Sequence, residues 1–242
     1  GPTVTRAMRV PPPGRLTVSD LQSILDSIKA HSEAVLKVRE VYKSTPGTLH
    51  MYGDRVGHSA YEGLFDLAIS EDHFVRCAPP ALDLLASAMA TLGTKSTAVL
   101  DLVALATLRL LGITRQVLTS GGFRFVISAA TFTELQELRA RSRLATAHGT
   151  MYYQDGQHYM TQTTEEESEK EKAAFEEWMQ CIENNTTVVT VPEVAALDPE
   201  RRQAFEKIFG REGVEAALLT LTPGNLLWTD DFVFAEVAKS EL

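Results

Sequence analysis

The chain has 242 residues, of which 44% are hydrophobic, 23% charged and 7% aromatic, and its net charge is -9. This is the composition of a folded globular protein; it excludes collagen-like repeats and low-complexity disorder, and two cysteines 104 positions apart exclude a disulfide framework or a cysteine zinc site. The longest apolar run, 98–111, is cut by Asp101 and Arg109 and falls short of the ~20 residues of a membrane span; the cysteine usage makes a reducing, cytoplasmic setting the default expectation.

Gly1-Pro2 has the form of a cleaved tag remnant and is set aside. Pro11-Pro12-Pro13-Gly14 is stiff and non-helical. Ser19-Asp20 can cap a helix running to about Ser44, with Leu21, Ile24, Leu25, Ile28, Val35, Val38 and Tyr42 as its apolar stripe. That stripe suits packing on the rest of the chain, or a partner-binding or dimerising helix. Thr45-Pro46-Gly47-Thr48 ends it. A second apolar helix is expected at 60–70, and Pro79-Pro80 precedes a third at 81–91. After Gly93 a strand at 98–100 leads into a helix that stops at Gly112. A strand at 123–127 runs into a helix at 130–144. Gln154-Asp155-Gly156-Gln157 has the form of a hairpin turn. Thr164 and Glu167 suit a capping box for a helix reaching about Glu183. A strand at 187–191, helices at 198–209 and 213–221, a strand at 226–228 and a helix at 232–242 complete the chain. From about 95 onward, apolar strands alternate with helices, the pattern of a parallel sheet buried on both faces.

In open parallel sheets, ligands sit beyond the carboxyl ends of the strands. Asp101 directly follows one strand and Asp230 and Asp231 another, while Glu134 and Glu215 lie in the first turns of helices next to strands. Carboxylates gathered at one edge repel each other and raise each other's pKa, which a hard cation such as Mg²⁺ or Mn²⁺ would relieve. Metals held by carboxylates suit phosphodiester hydrolysis. Any one of these acids also reads as a helix cap or a first-turn acid favoured by the helix dipole.

The order of these segments resembles a PIN domain, the fold of many metal-dependent ribonucleases. Val99-Leu100-Asp101-Leu102-Val103-Ala104-Leu105 resembles the family's first strand with its leading aspartate. Ser128-Ala129-Ala130-Thr131-Phe132-Thr133-Glu134-Leu135 resembles the second strand and the glutamate-bearing helix. Val214-Glu215-Ala216-Ala217-Leu218-Leu219 resembles a helix that usually starts with aspartate, and Leu226-Leu227-Trp228-Thr229-Asp230-Asp231-Phe232 the strand ending in threonine and aspartate. The nearest flavour is that of bacterial PIN domains associated with tetratricopeptide-repeat and GreAB-C proteins. The resemblance covers about 95–242. It implies an α/β fold, a three-layer α/β/α arrangement around a mostly parallel sheet. Residues 1–92 then form a helical N-terminal region, and 93–242 a PIN-like nuclease domain that stops short of its last strand.

The resemblance also implies a Mg²⁺- or Mn²⁺-dependent endoribonuclease. Asp101, Glu134, Glu215 and Asp230 would be its catalytic metal ligands, with Asp231 an alternative or supporting one. Glu215 departs from the family's aspartate and lengthens the arm by about 1.5 Å. Single-stranded RNA is the expected partner, with a homodimer or other domains of a longer chain allowed for, and no membrane. The net charge speaks against nucleic acid, and residues 151–187 carry nine acids against two lysines; residues 101–148, however, carry six arginines against three acids. Arg109, Arg139, Arg141 and Arg143 are candidate phosphate contacts, and Thr229 either holds a water or ends its strand. Tyr152, Tyr153 and Tyr159 suit base stacking or hairpin packing. The acidic helix from Glu165 is a solvated face or an occupant of the basic groove. The competing reading is a catalytically weak or inactive PIN-like interaction module in a multidomain bacterial protein.

Overall fold

Thr17 opens the first helix, α1 (Val18–Ser44), through a reciprocal capping box with Asp20, so the helix starts just before the expected Ser19-Asp20 cap. The structure is a computed structural model that describes residues 17–70, 74–77, 90, 93, 97–145 and 148–241. The expected helix at 81–91 lies outside these apart from Ala90, and Pro11-Pro12-Pro13-Gly14 lies outside them entirely. Two short helices follow α1: α2 (Leu49–Val56), which the sequence pattern does not announce, and α3 (Ala60–Ile69). Arg39 of α1 donates to Asp66 of α3 at 2.6 Å, and Tyr52 of α2 donates to the same carboxylate. One half-buried acid thus ties three helices together.

The sheet has four strands, β1 (Thr97–Leu100), β2 (Arg124–Ser128), β5 (Thr186–Val189) and β6 (Asn225–Trp228). Their order is β5-β2-β1-β6, and all neighbours run parallel. Between β1 and β2 lie α4 (Leu102–Leu110) and α5 (Thr114–Leu118). After β2 come α6 (Ala129–Leu144), the hairpin β3 (His148–Gln154) and β4 (Gln157–Thr163), and α7 (Glu165–Asn185). The hairpin turns at Asp155 and Gly156, both at positive φ, as an Asp-Gly pair favours. A 3₁₀ turn (Pro192–Ala196) precedes α8 (Pro199–Leu219), and α9 (Phe232–Glu241) closes the described chain.

Alternation along the strands divides the core in two. Ala98, Leu100, Phe125 and Ile127 face a cluster built from α2, α3, α4 and α7, while Val99 and Val126 face one built from α8 and α9. The sheet is therefore covered on both faces, as purely apolar parallel strands require. Leu49 and Tyr52 of α2 and Leu67 of α3 are sealed in the first cluster. Farther back, α1 leaves that core and lies along the hairpin, where Tyr153 N–H donates to Ser32 Oγ at 3.1 Å. Its apolar stripe is correspondingly graded: Tyr42 is buried, Val35 and Val38 pack on the core, and Leu21 is exposed.

A candidate acidic site at the carboxyl edge of the sheet

Register brings the ends of β1 and β6 together, with Leu100 paired to Trp228, so the residues that follow them share one edge. Asp101 caps α4: its Oδ1 accepts from Ala104 N–H at 2.7 Å, and its Oδ2 accepts from Thr229 Oγ1 at 2.6 Å. Burial, with Asp231 and Asp230 nearby, pushes its pKa up to about 8 against the pull of those two donors. Thr229 Oγ1 in turn accepts from Asp231 N–H at 3.2 Å. One hydroxyl locks the two aspartates into a single turn.

Asp231 is the deeper of the adjacent pair, and burial raises its pKa. Its Oδ1 accepts from Phe234 N–H of α9 at 3.1 Å, and its Oδ2 accepts from Leu49 N–H of α2 at 2.6 Å. Asp230 is half-buried beside the Thr107 hydroxyl, and burial raises its pKa too. The buried phenol of Tyr42, which feels the charge of Asp231, has no hydrogen-bond partner among the described residues.

Glu215 is placed differently from the other acids. It is buried on α8, its Oε2 accepting from Ala130 N–H at 2.9 Å and its Oε1 from Arg211 Nε at 3.1 Å. The longer glutamate arm reaches across to the first turn of α6 and caps it beside Ser128. Glu212, one helical turn earlier, takes the position at the edge. Gly210 makes this geometry: its φ of 71° and ψ of 164° break α8, a conformation open essentially only to glycine. Glu212 then accepts from His50 Nδ1 of α2 at 3.3 Å. Burial alone would lower the His50 pKa, but the bond to Glu212 and its charge outweigh burial and raise it. Glu134 is half-buried on α6, its pKa raised by burial and then by Glu212; Arg141 stands between it and Glu62, at 3.4 and 3.5 Å. Glu212 lies on the same helix face as Glu215 and is legible as such in the sequence. His50 carries no sequence signal, because packing brings it there from 162 positions away.

The acidic residues thus form two linked groups, Asp101 with Asp230 and Asp231, and Glu134 with Glu212. A cavity of about 20 Å³ between them is lined by Thr48, His50, Asp101, Glu212 and Asp231. It has room for about one water. In this arrangement the donors do not fit a divalent ion. Among the described residues, no three His, Cys, Asp or Glu side chains converge to hold one. The oxygens of Asp101 and Asp231 already accept hydrogen bonds, one of them from α2.

The expected phosphate contacts are mostly committed elsewhere. Arg109 donates to Tyr61 Oη and lies 4.4 Å from the Phe175 ring centre and 5.1 Å from that of Trp178. Arg139 pairs with Glu176 and Glu183 of α7, and Arg143 with Glu176, whose pKa those guanidiniums lower to about 2. The acidic helix therefore occupies the arginine face of α6, and Arg141 alone of the three faces Glu134. Tyr152 and Tyr159 stack on each other across the hairpin, ring centres 5.4 Å apart.

Residues 99–240 match the family model described as the PIN domain associated with the TPR-GreAB-C-PIN system. No curated protein and no solved structure matches the chain. No helix among the described residues is long and apolar enough to cross a membrane.

Proposed function

The chain belongs to the family of PIN domains associated with the TPR-GreAB-C-PIN system, and from that premise we propose that it is a divalent-metal-dependent nuclease acting on RNA. The observation that carries the reading is the acidic edge. Asp101 is buried at the end of β1, beside Asp230 and Asp231, and Glu134 approaches from α6 with Glu212 between the elements. Burying that many carboxylates costs free energy that a function at this edge explains. Mg²⁺ or Mn²⁺ is the hard cation such oxygens select. Asp101, Glu134, Asp230 and Asp231, joined by Glu212, are its proposed ligands in an arrangement that has given up the hydrogen bonds Asp101 and Asp231 accept here. Glu215, which the family resemblance places among them, holds the start of α6 through Ala130 N–H. Further domains of a TPR-GreAB-C-PIN protein are the proposed partners.

The test is cleavage of labelled single-stranded RNA, structured RNA and single-stranded DNA with Mn²⁺, Mg²⁺ or EDTA. Cutting of RNA that needs metal and is lost in Asp101→Asn is expected. No cutting by folded protein under any condition would sink the reading. It would favour the second one, an interaction module without activity, which the hydrogen-bonded state of Asp101, Asp231 and Glu215 also supports.

A further inference from the structure

The first turn of α2 sits on the acidic edge. Thr48 is buried, donates through Oγ1 to the Ile208 carbonyl of α8, and accepts from Met51 N–H at 3.2 Å to cap its own helix. The next residue gives its N–H to Asp231 at 2.6 Å, and the one after gives Nδ1 to Glu212 at 3.3 Å. Three consecutive residues therefore engage α8 twice and the β6–α9 turn once. The helix end they form carries partial positive charge, and His50 adds to it when protonated. This is the charge compensation that the gathered carboxylates need. It is delivered by the chain itself, 182 positions away from the aspartate it meets.

The same contacts exclude other occupants. An N–H 2.6 Å from Asp231 Oδ2 leaves no space for an ion bound to that oxygen from the same side, since Mg²⁺–oxygen bonds alone are about 2.0–2.1 Å. A cavity of about 20 Å³ admits a water and no phosphodiester. Thr45 and Pro46, which lead into the turn from α1, are exposed, while Leu49 is sealed.

We propose that the turn 46–50 is an intramolecular occupant of the acidic edge, which competes with a divalent cation and with a phosphodiester for Asp231 and Glu212. This rests on the nuclease reading and adds that the described arrangement is its closed form. Binding at the edge and docking of the turn oppose each other, so each weakens the other by the same factor. The Leu49 side chain and the rest of α2 stay in the core, and the opening is confined to the contacts of Leu49 N–H and His50 with the edge, a local event rather than unfolding.

The experiment uses the full chain and Mn²⁺ as the probe. Hydrogen exchange over residues 48–57 is followed with and without Mn²⁺, and Mn²⁺ affinity is measured by titration calorimetry for wild type and for Thr48→Ala/His50→Ala. Faster exchange at 49–53 on adding Mn²⁺, with the double variant binding at least tenfold more tightly, is expected. If wild type binds Mn²⁺ with exchange unchanged or slowed, and the variant binds no better, the closed form is refuted while the nuclease reading stands. Binding by neither protein, both folded by circular dichroism, overturns both. Should the double variant not fold, His50→Gln removes only the pair with Glu212 and should still tighten Mn²⁺ binding severalfold; equal affinity would refute the proposal.

Discussion

Asp101 combines two demands that ordinarily exclude each other. Capping α4 favours an ionised oxygen, while complete burial near two more aspartates disfavours it. Burial wins, and the carboxyl keeps its proton up to about pH 8, against an ordinary value of 3.8. The sign of the consequence follows. Between those two values the folded protein holds a proton that the unfolded chain has released, so stability falls as pH rises, by at most about 1.4 kcal/mol per unit. Asp101→Asn keeps an oxygen for the Ala104 N–H and has nothing to ionise. Urea unfolding in EDTA should therefore show the variant gaining on wild type from pH 5 to pH 8.5. Parallel curves would mean that the carboxylate is ionised and stabilised throughout. Asp101 itself is plain in the sequence, because an acid directly after an apolar strand is visible in one chain. The split between Glu215 and Glu212 is not. Both lie on one helix face, and the choice depends on which neighbour each oxygen meets, Ala130 N–H for one and His50 for the other.

The elements that position the edge have a weak point at Gly210. The break there turns the second half of α8 so that Glu212 folds back toward α2, and a side chain at 210 would both strain the backbone and strike the Glu212 carboxylate. Gly210→Ala should cost about 1–3 kcal/mol in thermal or chemical unfolding. It should also weaken the Glu212–His50 contact, seen as a lowered His50 pKa by NMR titration. An unchanged His50 would show that Glu212 is set by its own helix and not by the break. Most elements from 97 onward lie within a few residues of their expected places, because short apolar runs between helical periods are hard to read otherwise; β2, expected at 123–127, runs Arg124–Ser128. The element that matters most for the site is the one not legible. α2 is eight residues long with Gly53 inside it, too short for a period to emerge, and its polar face becomes meaningful only against carboxylates from the far end of the chain.

For the molecule as a whole, the N-terminal helices and the sheet do not have separate interiors. Leu49, Tyr52, Leu64 and Leu67 belong to the same buried cluster as Leu100, Ile127, Met179 and Ile182. Tyr61 of α3 packs against Phe175 and Trp178 of α7, with Arg109 of α4 over the same rings. Removing α2 and α3 would uncover Phe175 and Trp178 of α7 and open the apolar cluster that covers one face of β1 and β2. Global unfolding should consequently be one event, even in a chain longer than most two-state domains. The two tryptophans test this well, since Trp178 lies in that cluster and Trp228 packs against it from β6. Guanidinium unfolding followed by tryptophan fluorescence and by far-ultraviolet circular dichroism should give coincident curves. An early loss of helical signal before the fluorescence change would mean that the N-terminal helices melt alone. The acidic edge would then be uncovered by a domain-scale detachment, not by movement of one turn. Coincidence, together with faster exchange confined to 49–53, would place the opening below the level of global unfolding. A single turn could then respond to a cation or a strand while the core around it stays closed.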